Sequence, residues 1–142
     1  MKKNLLKSIW AVFAGFIFVV ILSILTDVLL IKTGLLKQPF HLNSKGFILI
    51  IVFYRCLYGI IGSYFTAKFS PNKPMTHAII GGAIGFVIAM LGAVTMWSAS
   101  PHWYPVSLII TTLPCAWLGA QLFIKQKRYE ASKQPNKGYF RA

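Results

Sequence analysis

The chain has 142 residues, 56% of them hydrophobic and 12% charged, with a formal net charge of +13. A soluble domain of this length would have too little polar surface to cover its apolar bulk, so the composition excludes an ordinary soluble globular protein and places the chain in a bilayer. The cationic excess by itself would suit nucleic acid, but no nucleic-acid motif accompanies it, and no nucleic-acid partner is expected.

A membrane span needs roughly 20 mostly apolar residues. Four stretches qualify, about 9–31, 46–67, 77–97 and 105–124. They predict an all-α membrane protein, a four-transmembrane-helix antiparallel bundle occupying residues 1–124. A basic tail over 125–142, rich in Lys, Pro and Gly toward its end, is predicted to be disordered.

The first stretch follows Lys2, Lys3 and Lys7, as the core of a secretory signal would. It is about twice as long as many such cores, and no small-x-small cleavage site follows it, so it reads as a retained helix. Asp27 lies near its far end.

The second stretch, GFILIIVFYRCLYGIIGSYFTA, carries Arg55 near its middle. A central Arg costs about 2.5 to 3.5 kcal/mol on an insertion scale, whereas the Leu, Ile, Phe and Val residues around it together return roughly 5 kcal/mol, so the span inserts. The turn KFSPNKP is short, with Pro71 stopping one helix and Pro74 starting the next, which makes the second and third helices antiparallel neighbours.

Small residues recur at four-residue spacing in every stretch: Ala11 and Gly15; Gly59, Ser63 and Ala67; Gly81, Gly85 and Ala89; Ala116 and Ala120. Lipid supplies no hydrophobic drive for helix association, so close approach through such residues does much of the work. The faces pack within the bundle, or the third one supports a homodimer or a larger membrane complex.

Charge orients the bundle. Lys2, Lys3, Lys7, Lys68, Lys73, Lys125, Lys127, Arg128, Lys133, Lys137 and Arg141 fall on one side, and Lys32, Lys37 and Lys45 on the other. The positive-inside rule then makes both the N-terminus and the C-terminus cytoplasmic. The basic tail also suits anionic lipid headgroups.

Only two acidic residues exist, and Glu130 lies in the tail, which leaves Asp27 as the one carboxylate able to partner Arg55 within the membrane. At 1.5 Å per residue Asp27 lies about 6 Å and Arg55 roughly 13 Å below the outer face, a gap that a guanidinium stem leaning outward can close. Pro114, at the depth of Arg55, frees the carbonyl of Ile110, and the hydroxyls of Thr111 and Thr112 lie beside it as further acceptors for the five guanidinium donors.

An intramembrane charge pair raises a functional-site hypothesis. It also suits an ion pair that fixes helix register with no ligand. The candidate ligand-binding set is Asp27, Arg55, Tyr58, Thr111, Thr112, His102, Trp103 and Tyr104, the last three with Trp97 forming a mouth or simply an interfacial aromatic belt.

Cys56 and Cys115 fall at similar depth but form no CxxC pair, and core packing is expected of them. No two histidines sit mid-membrane on facing helices, which argues against a b-type haem, and His41 with His102 lacks the acidic or thiolate company of a metal site. No cofactor is expected. Without a nucleophile and base, a metal set or paired carboxylates, the sequence points away from an enzyme.

The strings YRCLYGIIGSYFTAKFSPNKPMTHAIIGGAIG, from Tyr54 to Gly85, and PHWYPVSLIITTLPCAWLGAQL, from Pro101 to Leu122, resemble a family of small uncharacterised four-helix bacterial integral membrane proteins. The run Leu25-Thr26-Asp27 is similar too. The resemblance implies a multi-pass protein of the bacterial inner membrane and no particular activity. The expected function is binding or passage of a small anionic or zwitterionic solute at the Asp27 and Arg55 centre, or service as an accessory or structural membrane subunit.

Overall fold

The computed structural model describes residues 2–70 and 73–133, with side chains from Leu6 onward. Four α-helices account for most of them: α1 Lys2–Lys32, α2 Lys45–Phe69, α3 Pro74–Thr95 and α4 Trp103–Lys133. Each is long and apolar enough to cross a membrane, which makes the chain a multi-pass membrane protein.

Local chemistry sets the helix ends. Gly34 adopts a left-handed φ of 72° just beyond α1, where a Cβ would be strained, and the amide of Thr33 donates to the carbonyl of Leu29 at 3.0 Å. Ser44 caps α2 by accepting from the amide of Phe47 at 3.3 Å. Pro74 opens α3, where its missing N–H costs nothing. Pro71, expected to stop α2, lies outside the described residues, and α2 itself ends at Phe69.

Helix α4 continues past the expected end of its span, so residues 125–133 of the basic segment are helical. Lys, Gln, Arg, Glu and Ala are good helix formers. Gln126 also donates to Glu130 at 3.0 Å, and the Lys133 ammonium sits 4.6 Å from the ring centre of Tyr129. The rest of the expected disordered tail, 134–142, lies outside the described residues.

The distribution of side-chain size is that of a protein solvated by lipid. Trp10, Phe13, Leu29, Leu49, Phe53, Leu91, Val94 and Ile110 point outward, while Ala11, Ala67, Ala78, Ala93, Ala116 and Ala120 are buried. Apolar surface gains nothing by leaving hydrocarbon, so small residues that admit close backbones fill the interior.

Helix α2 packs against α1, α3 and α4, and α3 packs against α1 and α4, whereas α1 and α4 do not meet among the described residues. The closest crossings use glycine. A Cβ on Gly15 would collide with Thr66 and come within 2.6 Å of the Gly62 carbonyl oxygen, and one on Gly119 would strike the Ile60 carbonyl oxygen. On α3, a Cβ on Gly82 would lie 2.6 Å from Ala116, and one on Gly85 would lie 3.4 Å from Thr112. Gly82 and Gly85 of α3 thus pack toward α4 of the same chain.

At one end of the bundle the segment after α1 folds back over α2 and α4. Asn43 holds it, accepting from the amide of Lys37 at 2.9 Å and donating to the carbonyls of Lys37 and Phe40. Phe40 is thereby buried with Leu36, Ile48, Ile51, Val52 and Tyr104, its ring 4.6 Å from that of Tyr104. Ala67, Ala78 and Ala120 form a second buried cluster with Met75 and Phe123 at the opposite end.

Candidate functional site

Asp27 of α1 and Arg55 of α2 meet: an Arg55 Nη2 hydrogen donates to Asp27 Oδ2 at 2.5 Å. The hydroxyl of Tyr54 donates to the other carboxylate oxygen. Both oxygens of Asp27 therefore have a donor, and neighbouring residues of one helix supply both. Opposite charges and satisfied lone pairs make this the arrangement in which a carboxylate is best tolerated away from bulk water.

Arg55 is satisfied less fully than its partner. A guanidinium has five N–H donors. Asp27 takes one, the Tyr54 hydroxyl oxygen is within hydrogen-bonding reach of the guanidinium as well, and Nε is buried without an acceptor. The Arg55 and Asp27 side chains nevertheless keep 30% and 26% of their surface exposed, so the pair is neither sealed in a dry core nor lost to the exterior. It faces a cavity.

That cavity has a volume of about 490 Å³ and draws walls from all four helices. Among the described residues, Asp27 and Arg55 are the only charged ones lining it, at the end carrying Tyr104 and Met96. Its further reaches are walled by Phe16, Val19, Gly85, Ala89, Leu108 and similar side chains.

The hydroxyls along the walls are mostly turned back on their own helices. Ser63 donates to Gly59, Thr66 to Gly62, Thr111 to Ser107 and Thr112 to Leu108, at 2.7 to 3.1 Å. Thr111 and Thr112 thus line the cavity as expected acceptors, but their protons serve carbonyls one turn back, a common resting state for hydroxyls in apolar helices.

The cavity opens sideways, between α1 and α3. Val20, Ile24, Ile88 and Met96 both line it and remain exposed, Ile24 at 56% and Ile88 at 43%. Glycines report the divergence of the two helices. A Cβ on Gly81 would rest 3.6 Å from Val12, but one on Gly92, three turns further along α3, would meet nothing within 4 Å. Because the outward faces of these helices are apolar, the mouth opens where lipid would lie.

No protein-family model, curated protein or solved structure matches the chain.

Of the eight residues expected to bind a ligand, Asp27, Arg55, Tyr104, Thr111 and Thr112 line the cavity. Tyr58 does not. Its hydroxyl lies 2.9 Å from Thr26 Oγ1, and since Thr26 gives its own proton to the Leu22 carbonyl, Tyr58 is the donor. His102 and Trp103 are outside the lining too, with His102 stacked on Trp97 at 4.4 Å between ring centres. A belt of aromatic and imidazole rings accounts for them without a ligand.

Tyr54 is the partner that sequence reading missed. The signal available was its place beside Arg55, since two adjacent residues on a helix diverge by only 100° and can straddle one side chain opposite. Cys56 and Cys115 are free, interact with each other and line the cavity. His77 shares its Nδ1 between Ser70 Oγ at 2.9 Å and the Lys73 carbonyl at 3.0 Å, which fixes the start of α3 far from Arg55.

The arrangement can hold an anion. Asp27 is committed as an acceptor to Tyr54 and Arg55, while unused guanidinium donors border a cavity with no competing cation. Planar donors of this kind match carboxylate and phosphate oxygens.

Proposed function

We propose that the chain is an antiparallel four-span protein of the bacterial inner membrane, with both termini cytoplasmic, that binds or passes a small anionic or zwitterionic solute at Arg55 and Asp27. The observation that carries this reading is a charge pair bordering a cavity of about 490 Å³ with most of the guanidinium donors unspent. Ligand sites of roughly 300 to 1,000 Å³, mostly apolar with a few convergent polar groups, are the ordinary kind. The role is binding rather than catalysis, since the one carboxylate in the cavity is engaged by two donors and is not poised as a base.

Contacts along the helices support the antiparallel arrangement. Thr26 meets Tyr58 and Gly15 lies against Thr66, so numbers rise along α1 as they fall along α2. Gly82 against Ala116 and Gly85 against Thr112 give the same relation for α3 and α4. Reporter fusions after Lys73 and Lys133 are expected to read cytoplasm, and fusions after Gln38 and Ser100 the opposite side. An exterior signal at Lys133 would remove the four-span topology.

Solute binding is tested on the guanidinium itself. With arginine side chains isotopically labelled and the protein in phosphatidylcholine nanodiscs, titration with acetate, inorganic phosphate or palmitate should give a saturable shift of the Arg55 resonances. The Arg55 resonances should stay saturable when salt screens the exposed cations, because partly buried charges are screened less. No saturable shift with any of the three anions would sink the reading.

One observation favours a second reading, in which the chain is an accessory or structural subunit, alone, as a homodimer or within a larger membrane complex. Asp27 already has both oxygens satisfied within the chain, as a register-fixing ion pair would. Exchanging the pair, Asp27→Arg with Arg55→Asp, separates the two: recovered stability with recovered phenotype favours register alone.

A further inference from the structure

The cavity is far larger than the group Arg55 would hold. A water molecule occupies about 30 Å³ of liquid, and a stable buried water needs two to four polar partners. The 490 Å³ here would take many waters, yet beyond the charge pair the walls are mostly apolar, and Ser63, Thr66, Thr111 and Thr112 spend their hydroxyl protons on their own helices. Such a space suits hydrocarbon rather than water.

Its shape and mouth agree. Short of the contact between Val12 and Gly81, lining residues on α3 run from Met96 to Gly85, and at 1.5 Å per residue those eleven steps extend about 16 Å. One acyl chain of a bilayer reaches about half of a hydrocarbon core that is roughly 30 Å thick. The groove is long enough for such a chain, and Val20 and Ile24 face Ile88 and Met96 across a mouth that opens toward lipid instead of water. At the other side of the charge pair, Phe40 packs over Tyr104.

We propose that the ligand is an anionic membrane amphiphile, its carboxylate or phosphate head held by Arg55 and one alkyl chain laid along the groove between α1 and α3. This rests on the anion-binding reading of Arg55 and narrows it from solutes in general to molecules that arrive sideways from the bilayer. Charge complementarity selects the head, and the apolar groove selects the tail. A soluble anion of the same head chemistry would leave the groove unfilled.

The amphiphile and a soluble anion are separated by where a tail is found. The full chain in phosphatidylcholine nanodiscs is irradiated with palmitate bearing a mid-chain diazirine, and adducts are mapped by mass spectrometry. Adducts should fall on Phe16, Val20, Ile88 and Leu108, should be displaced by excess palmitate, and should survive excess acetate. Gly92→Leu places a side chain in the groove one turn from Met96, and its Cβ meets nothing within 4 Å, so the fold should persist. It should lower groove labelling about tenfold, the affinity of roughly two methylenes displaced from an apolar site. Val94→Leu, on the exposed face of α3, should leave labelling unchanged.

Labelling spread over Leu91, Val94 and other outward residues, and not displaced by palmitate, would overturn the proposal. If the Arg55 resonances still respond to acetate or phosphate in that case, the amphiphile fails while the anion site stands. If they respond to no anion, both fail. Unchanged labelling in Gly92→Leu, with unfolding behaviour like that of the parent, would show that the tail does not lie in this groove.

Discussion

Replacing Arg55 by alanine is expected to destabilise the folded bundle by about 3 kcal/mol, the lower end of what breaking a buried ion pair costs. The lower end applies because 30% of the Arg55 side chain and 26% of Asp27 remain exposed to the cavity. The change strands Asp27 with only the Tyr54 hydroxyl as donor. Asp27→Asn leaves the guanidinium without its carboxylate and should cost a similar amount. The two losses should not add: the double variant, with neither charge present, should be milder than their sum by about 0.5 to 3 kcal/mol, the usual coupling of groups in direct contact. Reversible unfolding in mixed micelles measures all four corners of this cycle. Additive losses would mean that the two side chains do not meet.

A comparable loss is expected from a single methyl group at Gly119. A Cβ there would strike the Ile60 carbonyl oxygen and lie 2.7 Å from the Cβ of Ser63 and 2.9 Å from the Tyr64 amide nitrogen. Two of these three atoms are backbone, so no rotamer change relieves the crowding and α2 must move from α4. Overpacking of this kind costs about 1 to 3 kcal/mol. Gly119→Ala should therefore be destabilised in the same micelle assay, and Gln126, which accepts from Tyr64 at 2.5 Å, should lose that contact. Gly46→Ala is the control, since nothing lies within 4 Å of its added methyl, and it should be neutral. Equal behaviour of the two variants would contradict the close α2 and α4 crossing.

Much of the helical layout was legible because lipid imposes simple requirements. Continuous apolar runs bounded by lysines and prolines mark helices long enough to span, and Gly15 marks a place where backbones approach, whereas the close approaches at Gly82 and Gly119 fall one residue away from the expected small-residue series. The encounter of Asp27 with Arg55 followed from scarcity, since Asp27 was the only carboxylate at membrane depth. The boundaries were less legible. Residues 125–133 are charged enough to resemble a solvated tail, yet their helix propensity lets α4 run on through them.

Side-chain orientation was the least legible feature. Tyr54 and Tyr58 stand one turn apart on α2, and depth alone could not tell which faces the carboxylate and which faces Thr26. Thr111 and Thr112 sit at the expected depth, but a hydroxyl in an apolar helix bonds its own backbone unless something better is in reach. The cavity was not legible at all. It arises because α1 and α3 touch near Val12 and Gly81 and diverge toward Asp27, and divergence of two helices leaves no pattern in either sequence.

The central claim is that Arg55 presents free donors to a lipid-facing groove between α1 and α3, and an experimental density map of the protein crystallised from a lipidic mesophase tests it most directly. The account predicts Arg55 paired with Asp27, α1 and α3 apart at Gly92, and elongated density reaching from the guanidinium along Ala89 and Phe16. A map in which α1 and α3 close on each other at Gly92, or in which Arg55 turns away from the groove, would contradict it.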